Sequence, residues 1–342
     1  MSYDINLVIE RIKSFHEKPL PPEERWYGVG AVFRRLADLP DDFPLRLQIN
    51  HGPYIEDGPL AFYDNSPLPV LVCRKSLEGF HSRRPGKIAF SCGTAQVWYR
   101  RLNDIQLAED AAGTLAFPCH STHHIEAVFD HSAYAKHLLE LPDHLQPVTV
   151  CMYWIDILSG YHQHYIDMGI PVVSAGHMAD PLFLSNFYGN LRRHRYTTGN
   201  EMGTHAILSI EMGIPYFHSG SLPYYEDRTG GDPDFTTQYN HDYQGSRPMA
   251  WRFLGLLPKV DSCLEITDEL KSFVSYLHGA DEALDRIALR RFIVEAYLMA
   301  TPAARIALND VWGDRQLQSR LGLASSGSEG SVPVTVLPGQ DH

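Results

Sequence analysis

The sequence predicts an α/β protein whose parallel sheets are covered by helices, arranged as two lobes with closing C-terminal helices. Three observations carry that expectation. β-Branched and aromatic runs at 148–153, 170–174, 196–198 and 214–218 alternate with segments of helical pattern, the order that builds a parallel sheet. The first half repeats the alternation, with strand-like runs at 45–50, 69–74 and 87–93. The 342 residues, 44% hydrophobic and 20% charged, suit a globular chain of one large or two medium domains.

The elements follow in order. Residues 4–18 read as a helix, since Leu7, Ile9, Ile12 and Phe15 approximate helical spacing and Pro19 stops it. A second helix covers 30–37, with Pro40 and Pro44 beyond it. LRLQIN (45–50) is a strand running into the turn His51-Gly52-Pro53; PVLVCR (69–74), followed by a helix, and KIAFSCG (87–93) are the next two strands. The polar stretch 100–113 marks the change of lobe, and GTLAFPCHSTHH (113–124) supplies the first strand and turn of the second half. Its helix starts at Asp130, a plausible N-cap. Residues 221–246, rich in Tyr, Asp and Gly without a period, read as a long loop. Residues 264–322 are helical, with Asp268 and Asp281 as candidate starts and Gly279 as a stop, and 324–342 has the composition of a disordered tail. The expected division is 1–108 and 109–262 for the lobes, 263–323 for the C-terminal helices and 324–342 for the tail.

The net charge of −12 argues against a general nucleic-acid binder. A local basic run, Arg192, Arg193, His194 and Arg195, reads either as a solvated helix end or as a contact for anionic lipid or phosphate. Five cysteines without CxxC spacing suit a reducing compartment. The N-terminus has no apolar core of a signal peptide, and no run approaches the roughly eighteen apolar residues of a membrane span. The expectation is a cytoplasmic protein, with peripheral docking on a membrane left open.

In parallel sheets ligands sit beyond the carboxyl ends of the strands, and there the chain places small and polar residues. Asn200, Glu201, Gly203, Thr204 and His205 open a helix, where free N–H groups and the positive dipole end suit an anion; the plainer alternative is capping by Asn200 with Gly203 serving packing. His120, Ser121, Thr122, His123 and His124 bring hydroxyls and imidazoles to a turn, either as donors to a diphosphate or as a polar surface turn. A metal site there is the weakest reading, because H-x-x-H-H on a turn has no fixed facial geometry. Gly176, His177 and Asp180 would meet a base or ribose, or form a β–α turn capped by Asp180. His51 is a candidate general base, with Glu56 and Asp57 as alternatives, and a purely structural role in the turn stands equally open. Glu211, at a helix C-terminal end, reads as solvated or as a ribose contact. Tyr224, Tyr225 and Glu226 read as part of a loop closing over a ligand.

Together these features resemble the GT-B fold of nucleotide-sugar glycosyltransferases, with two Rossmann-like lobes. The resemblance is sharpest in GNEMGTHAILSIEMGIP (199–215), where Gly203 and Gly213 have the spacing that many such enzymes show between a glycine at a helix start and the glycine of the G-x-P turn ending at Pro215. INHGP (49–53), PVLVCRKS (69–76) and FSCGTAQVWYRR (90–101) are similar in order to the first lobe of bacterial polysaccharide-assembly transferases, including the CDP-glycerol glycerophosphotransferase type. LAFPCHSTHH (115–124) resembles the strand and turn that open their donor lobe. The likeness spans roughly 45–220. The chain departs from retaining members, whose E-x7-E pair would fall on Asn200 and Leu208.

The resemblance implies a transferase moving a sugar from a nucleotide-sugar co-substrate to a glycan or lipid-linked acceptor. It leans towards inversion and implies no further cofactor and no essential metal. Oligomeric state is not indicated. Three alternatives stay open. One is an isomerase similar to nucleotide-sugar 2-epimerases, using Glu201 and Glu211; the others are a metal-dependent hydrolase and a catalytically silent nucleotide-binding protein.

Overall fold

The computed structural model describes residues 4–50, 52–53, 55, 68–72, 77, 88–123, 125–228, 248–260 and 264–300. Its frame is a five-stranded parallel sheet, with a separate three-stranded parallel sheet before it and helices around both.

Helix α1 (Ile5–His16) begins at Asp4, whose carboxylate accepts the Asn6 N–H, a cap worth about 1 kcal/mol. A 3-10 turn (Glu23–Gly28) leads into α2 (Val29–Leu36). Strands β1 (Gln48–Ile49), β2 (Val70–Val72) and β3 (Ala89–Ser91) pair in parallel in that order. Helix α3 (Ala95–Leu102) then leaves the first sheet, in a stretch whose end the sequence assigned to the change of lobe.

The large sheet is built from β4 (Thr114–Phe117), β6 (Val148–Cys151), β7 (Val172–Val173), β8 (Tyr196–Gly199) and β9 (Tyr216–His218). Their spatial order is β7-β6-β4-β8-β9, all parallel. The chain works outward from β4 to β7, then returns to the other side of β4. The order therefore reverses between β4 and β8, the point where such sheets leave a crevice.

Alternation along the strands explains why both faces are covered. Ala116, Val148 and Val150 join one core with Tyr134, Leu138 and Trp154. Leu115, Phe117, Cys151 and Val173 join another with Tyr188 and Leu208 on the opposite face. The helices that supply these layers are α4 (His131–Leu139), α5 (Trp154–Leu158), α6 (Gln163–Ile166), α7 (Phe183–Leu191) and α8 (Thr204–Glu211). Asp130 caps α4 by accepting the Ala133 N–H at 2.9 Å.

Helix α1 belongs by packing to the large sheet, because Ile12 is buried among Ala116, Trp154 and Met178. Helix α9 (Pro248–Leu256) and α10 (Asp268–His278) pack on α8 through Phe253, Phe273 and Leu277. Helix α11 (Arg286–Ala300) returns to the first sheet, where Leu289 and Ile293 meet Phe33 and Ile49.

Several expectations need correction. Between β4 and α4 lies a further strand, β5 (Ile125–Val128), antiparallel to β10 (Tyr224–Asp227). The stretch from 221 is therefore not simply a loop, and Tyr224, Tyr225 and Glu226 are strand residues; 229–247 lies outside the described residues. Helix α10 starts at Asp268 and stops at Gly279 as expected, with the Thr267 side chain as its cap, but Asp281 sits in a 3-10 turn rather than starting a helix. Residues 301–342, including the expected tail, also lie outside the described residues. Glu211 is neither solvated nor free for a ribose. Its side chain is 4% exposed, held bidentately by Arg100 of α3 at 2.7 and 2.8 Å and by Arg101 at 3.3 Å. No helix among the described residues is long and apolar enough to cross a membrane.

Candidate functional site

The strand ends at the β4–β8 switch point are organised by one buried amide. Asn200, fully buried just past β8, accepts the Cys119 N–H on Oδ1 at 2.7 Å. Its Nδ2 donates to the Ser221 carbonyl at 3.3 Å, and its own carbonyl faces His218 Nε2 at 3.3 Å. Asn200 is thus a clamp between strand ends and not the cap of α8; Gly203 occupies that cap position, with no side-chain cap bond. Beside it the Cys119 thiol donates to Glu201 Oε2 at 2.9 Å and contacts the Tyr225 hydroxyl at 3.1 Å. Burial, reinforced by Glu201, raises the pKa of both Cys119 and Tyr225. Both therefore stay protonated as neutral donors, and the thiol holds the Glu201 carboxylate with no Lys or Arg ion pair to it among the described residues.

At the start of α8, a Cβ on Gly203 would stand 3.1 Å from the His205 imidazole. The absent side chain makes room for that ring. His205 stacks on Phe117 at 4.8 Å. Burial, then the nearby His120, pushes it down to about 3, and the Glu201 carbonyl opposes the shift. His205 is therefore neutral, and its Nε2 is buried without a hydrogen-bond partner among the described residues.

The first sheet reaches the same place. A Cβ on Gly52, just past β1, would lie 3.0 Å from Thr204 Oγ1, and the Thr204 hydroxyl stands 3.5 Å from the Pro53 carbonyl. The turn after β1 thus abuts the first residue of α8. His51, Glu56 and Asp57 lie outside the described residues.

The turn after β4 is anchored from α5. Asp156, 3% exposed, accepts the Ser121 N–H on both oxygens at 3.2 Å. Burial raises its pKa, offset by His120 and by the bonds from Ser121. Ser121 Oγ accepts the Ala127 N–H and Thr122 Oγ1 the Ile125 N–H, so these hydroxyls hold the turn against β5. His120 packs on Tyr153 at 4.4 Å and His123 on Trp154 at 5.5 Å. His124 lies outside the described residues.

Past β7, Gly176 turns the chain at φ +96° and leads to His177, which is 1% exposed. Asp180 does not stand free. Arg11 of α1 grips it at 2.5 and 2.8 Å, and it accepts the Leu182 N–H at 2.9 Å. The Arg192, Arg193 and Arg195 side chains are exposed. Arg195 N–H bonds the Gly113 carbonyl before β4, which puts this run at the opposite edge of the sheet from the crevice.

The structure thus gathers His120, Ser121, Thr122, His123, Asn200, Glu201, Gly203, Thr204 and His205 at the strand ends around the switch point, with Gly176 and His177 farther along the same edge. The sequence reading picked out Asp156 among the strand-end residues and Tyr225 on a loop over a ligand but gave neither its anchoring role, and it missed Cys119 as an organiser and His16 as a neighbour of His177. Cys119 follows the end of β4 and Asp156 lies in the helix that follows β6, and that position was the one signal available. Among the described residues no three His, Cys, Asp or Glu side chains are grouped to hold a metal ion. Comparison with protein-family models finds none that matches the chain, and comparison with curated proteins finds no match either.

Proposed function

We propose that the protein is a glycosyltransferase of the two-lobed, GT-B-like kind, moving a sugar from a nucleotide-sugar donor to a glycan or lipid-linked acceptor with inversion. The observation that carries this reading is the meeting of the turn after β1 with the first residue of α8, at Gly52 and Thr204. A displacement between two substrates needs an acceptor side and a donor side to face each other within reach. Here the carboxyl end of one parallel sheet abuts the carboxyl-end crevice of the other.

In this reading the donor phosphates lie by the N-terminus of α8 and the 120–123 turn, where N–H groups and imidazoles stabilise charge on the leaving group. Glu201, oriented by the Cys119 thiol that Tyr225 contacts in turn, accepts hydroxyl donors of the ligand. The acceptor proton goes to a base on the β1 side, with His51, Glu56 and Asp57 as candidates. The isomerase alternative loses support, because the Glu211 carboxylate of its proposed pair is engaged by Arg100 and Arg101.

The test is incubation with nucleotide-sugars with and without glycan acceptors, following nucleotide release and product anomeric configuration by NMR. Release that depends on an acceptor, with inverted product, supports the reading. Turnover of the nucleotide-sugar alone contradicts it.

A further inference from the structure

Three histidines from three separate segments meet around one indole at the carboxyl edge of the large sheet. His177 follows β7, His123 follows β4 and His16 ends α1; their rings lie 4.2, 5.5 and 5.3 Å from the Trp154 ring. His16 and His177 are 6.3 Å apart. His177 Nδ1 accepts the Ala179 N–H at 3.1 Å, which in the neutral ring puts the proton on Nε2. That Nε2 is buried and has no hydrogen-bond partner among the described residues. Leaving a buried donor unmade is costly, so a ligand acceptor offers it a partner.

The nearby carboxylates do not stand against an anion. Two carboxylates stand near, and both are engaged: Asp180 by Arg11 and the Leu182 N–H, Asp156 by the Ser121 N–H. Phe15, stacked on His177 at 6.1 Å, carries the Lys18 ammonium at 5.0 Å and the Arg11 guanidinium at 5.7 Å from its ring centroid. Arg11 is engaged by Asp180, which leaves the Lys18 ammonium and the His177 Nε2–H as the cation and donor available to an anion here. We propose that His16, His123 and His177 form a binding site for a phosphate group. Burial, then repulsion from His16 and His123, lowers the pKa of His177, and a seated anion relieves that repulsion. The site rests on the transferase reading only for what carries the phosphate, a nucleotide-sugar in that reading or free pyrophosphate otherwise.

The experiment is calorimetric titration of the full chain with inorganic pyrophosphate, alongside NMR of the histidine Cε1 protons. His16 and His123 are exposed, so the H16Q/H123Q double variant is expected to fold; H177Q is the second variant. The proposal expects saturable binding, a shifted His177 resonance, and affinity about tenfold weaker or more in either variant. Absence of binding, or equal binding by H16Q/H123Q, overturns it. Pyrophosphate bound through the histidines while no nucleotide-sugar binds keeps the site and removes the transferase reading. Nucleotide-sugar bound equally well by H16Q/H123Q overturns the site alone.

Discussion

Thr204 sits against Gly52, with 3.0 Å between its hydroxyl oxygen and the place where a Cβ on Gly52 would stand. Two sheets that are far apart in sequence meet there with no room for a side chain. Gly52→Val is expected to push the turn after β1 off α8. On the proposed reading, donor binding on the second sheet should survive, while transfer falls by at least about a hundredfold, as misplacement of reacting groups does. Nucleotide-sugar affinity measured beside turnover checks this; loss of both together would count against the division of labour.

The Asn200 clamp gives a stability prediction. Asn200→Ala leaves the Cys119 N–H and the Ser221 carbonyl without their partner, a loss of about 1–3 kcal/mol. Asn200→Asp keeps the acceptor for Cys119 but loses the donor to Ser221 and buries a charge, so at neutral pH it should cost at least as much. Urea midpoints of the two variants give the comparison.

Gly203 and His205 should behave as a pair. Gly203→Ala sets a Cβ 3.1 Å from the imidazole, which predicts a loss of about 1–2 kcal/mol from overpacking. In a His205→Ala background the same change should be nearly neutral. A double-mutant cycle reads the coupling, and independent, additive effects would show that the ring is not what excludes a side chain at 203.

Acid sensitivity follows from buried histidines. His131 and His177 are lowered from 6.5 to about 4 and His205 to about 3, in each case chiefly by burial. Below pH 6.5 the unfolded chain takes up protons that the folded chain refuses, so their contribution is full above that pH and falls as pH drops towards 4. For His177 the linkage amounts to about 2 kcal/mol by about pH 5. His177→Gln should therefore lose about 2 kcal/mol less than the wild type between about pH 7 and about pH 5. Equal losses in urea titrations would contradict the assignment.

Glu211 ties α8 to α3. Glu211→Ala should destabilise by about 3–5 kcal/mol, since Arg100 is then left unpaired in a largely buried place. Replacing Arg100 and Glu211 together by Met and Leu should recover most of that loss. Failure of the double replacement to recover stability would show that the pair does more than satisfy itself.

Much of the frame was legible in the sequence. Strands such as TLAF at 114–117 and YTTG at 196–199 are buried on both faces, and their runs stand out between helical segments. The antiparallel pairing of Tyr224 with Val128 was not legible, because its partners are brought together only by the completed sheet. Local reasoning found the polar strand ends but misassigned roles within them. Asn200 was read as an anion-site donor or a cap, and its clamp role was hidden because its partners, Cys119 and Ser221, lie in distant segments. Glu211 looked solvated because the arginines that neutralise it sit on α3, in a stretch that ran into the expected change of lobe. His16 escaped notice because only packing of α1 on the second sheet carries it to Trp154 and His177.

The most direct test of the central claim is thermal unfolding of the full chain with UDP-, GDP-, CMP- and dTDP-sugars. The account predicts that at least one raises the melting temperature, since a ligand at about a hundred times its Kd adds about 2.7 kcal/mol. It also predicts that His205→Ala reduces the effect. No stabilisation by any of the four would contradict a nucleotide-sugar donor site at the start of α8.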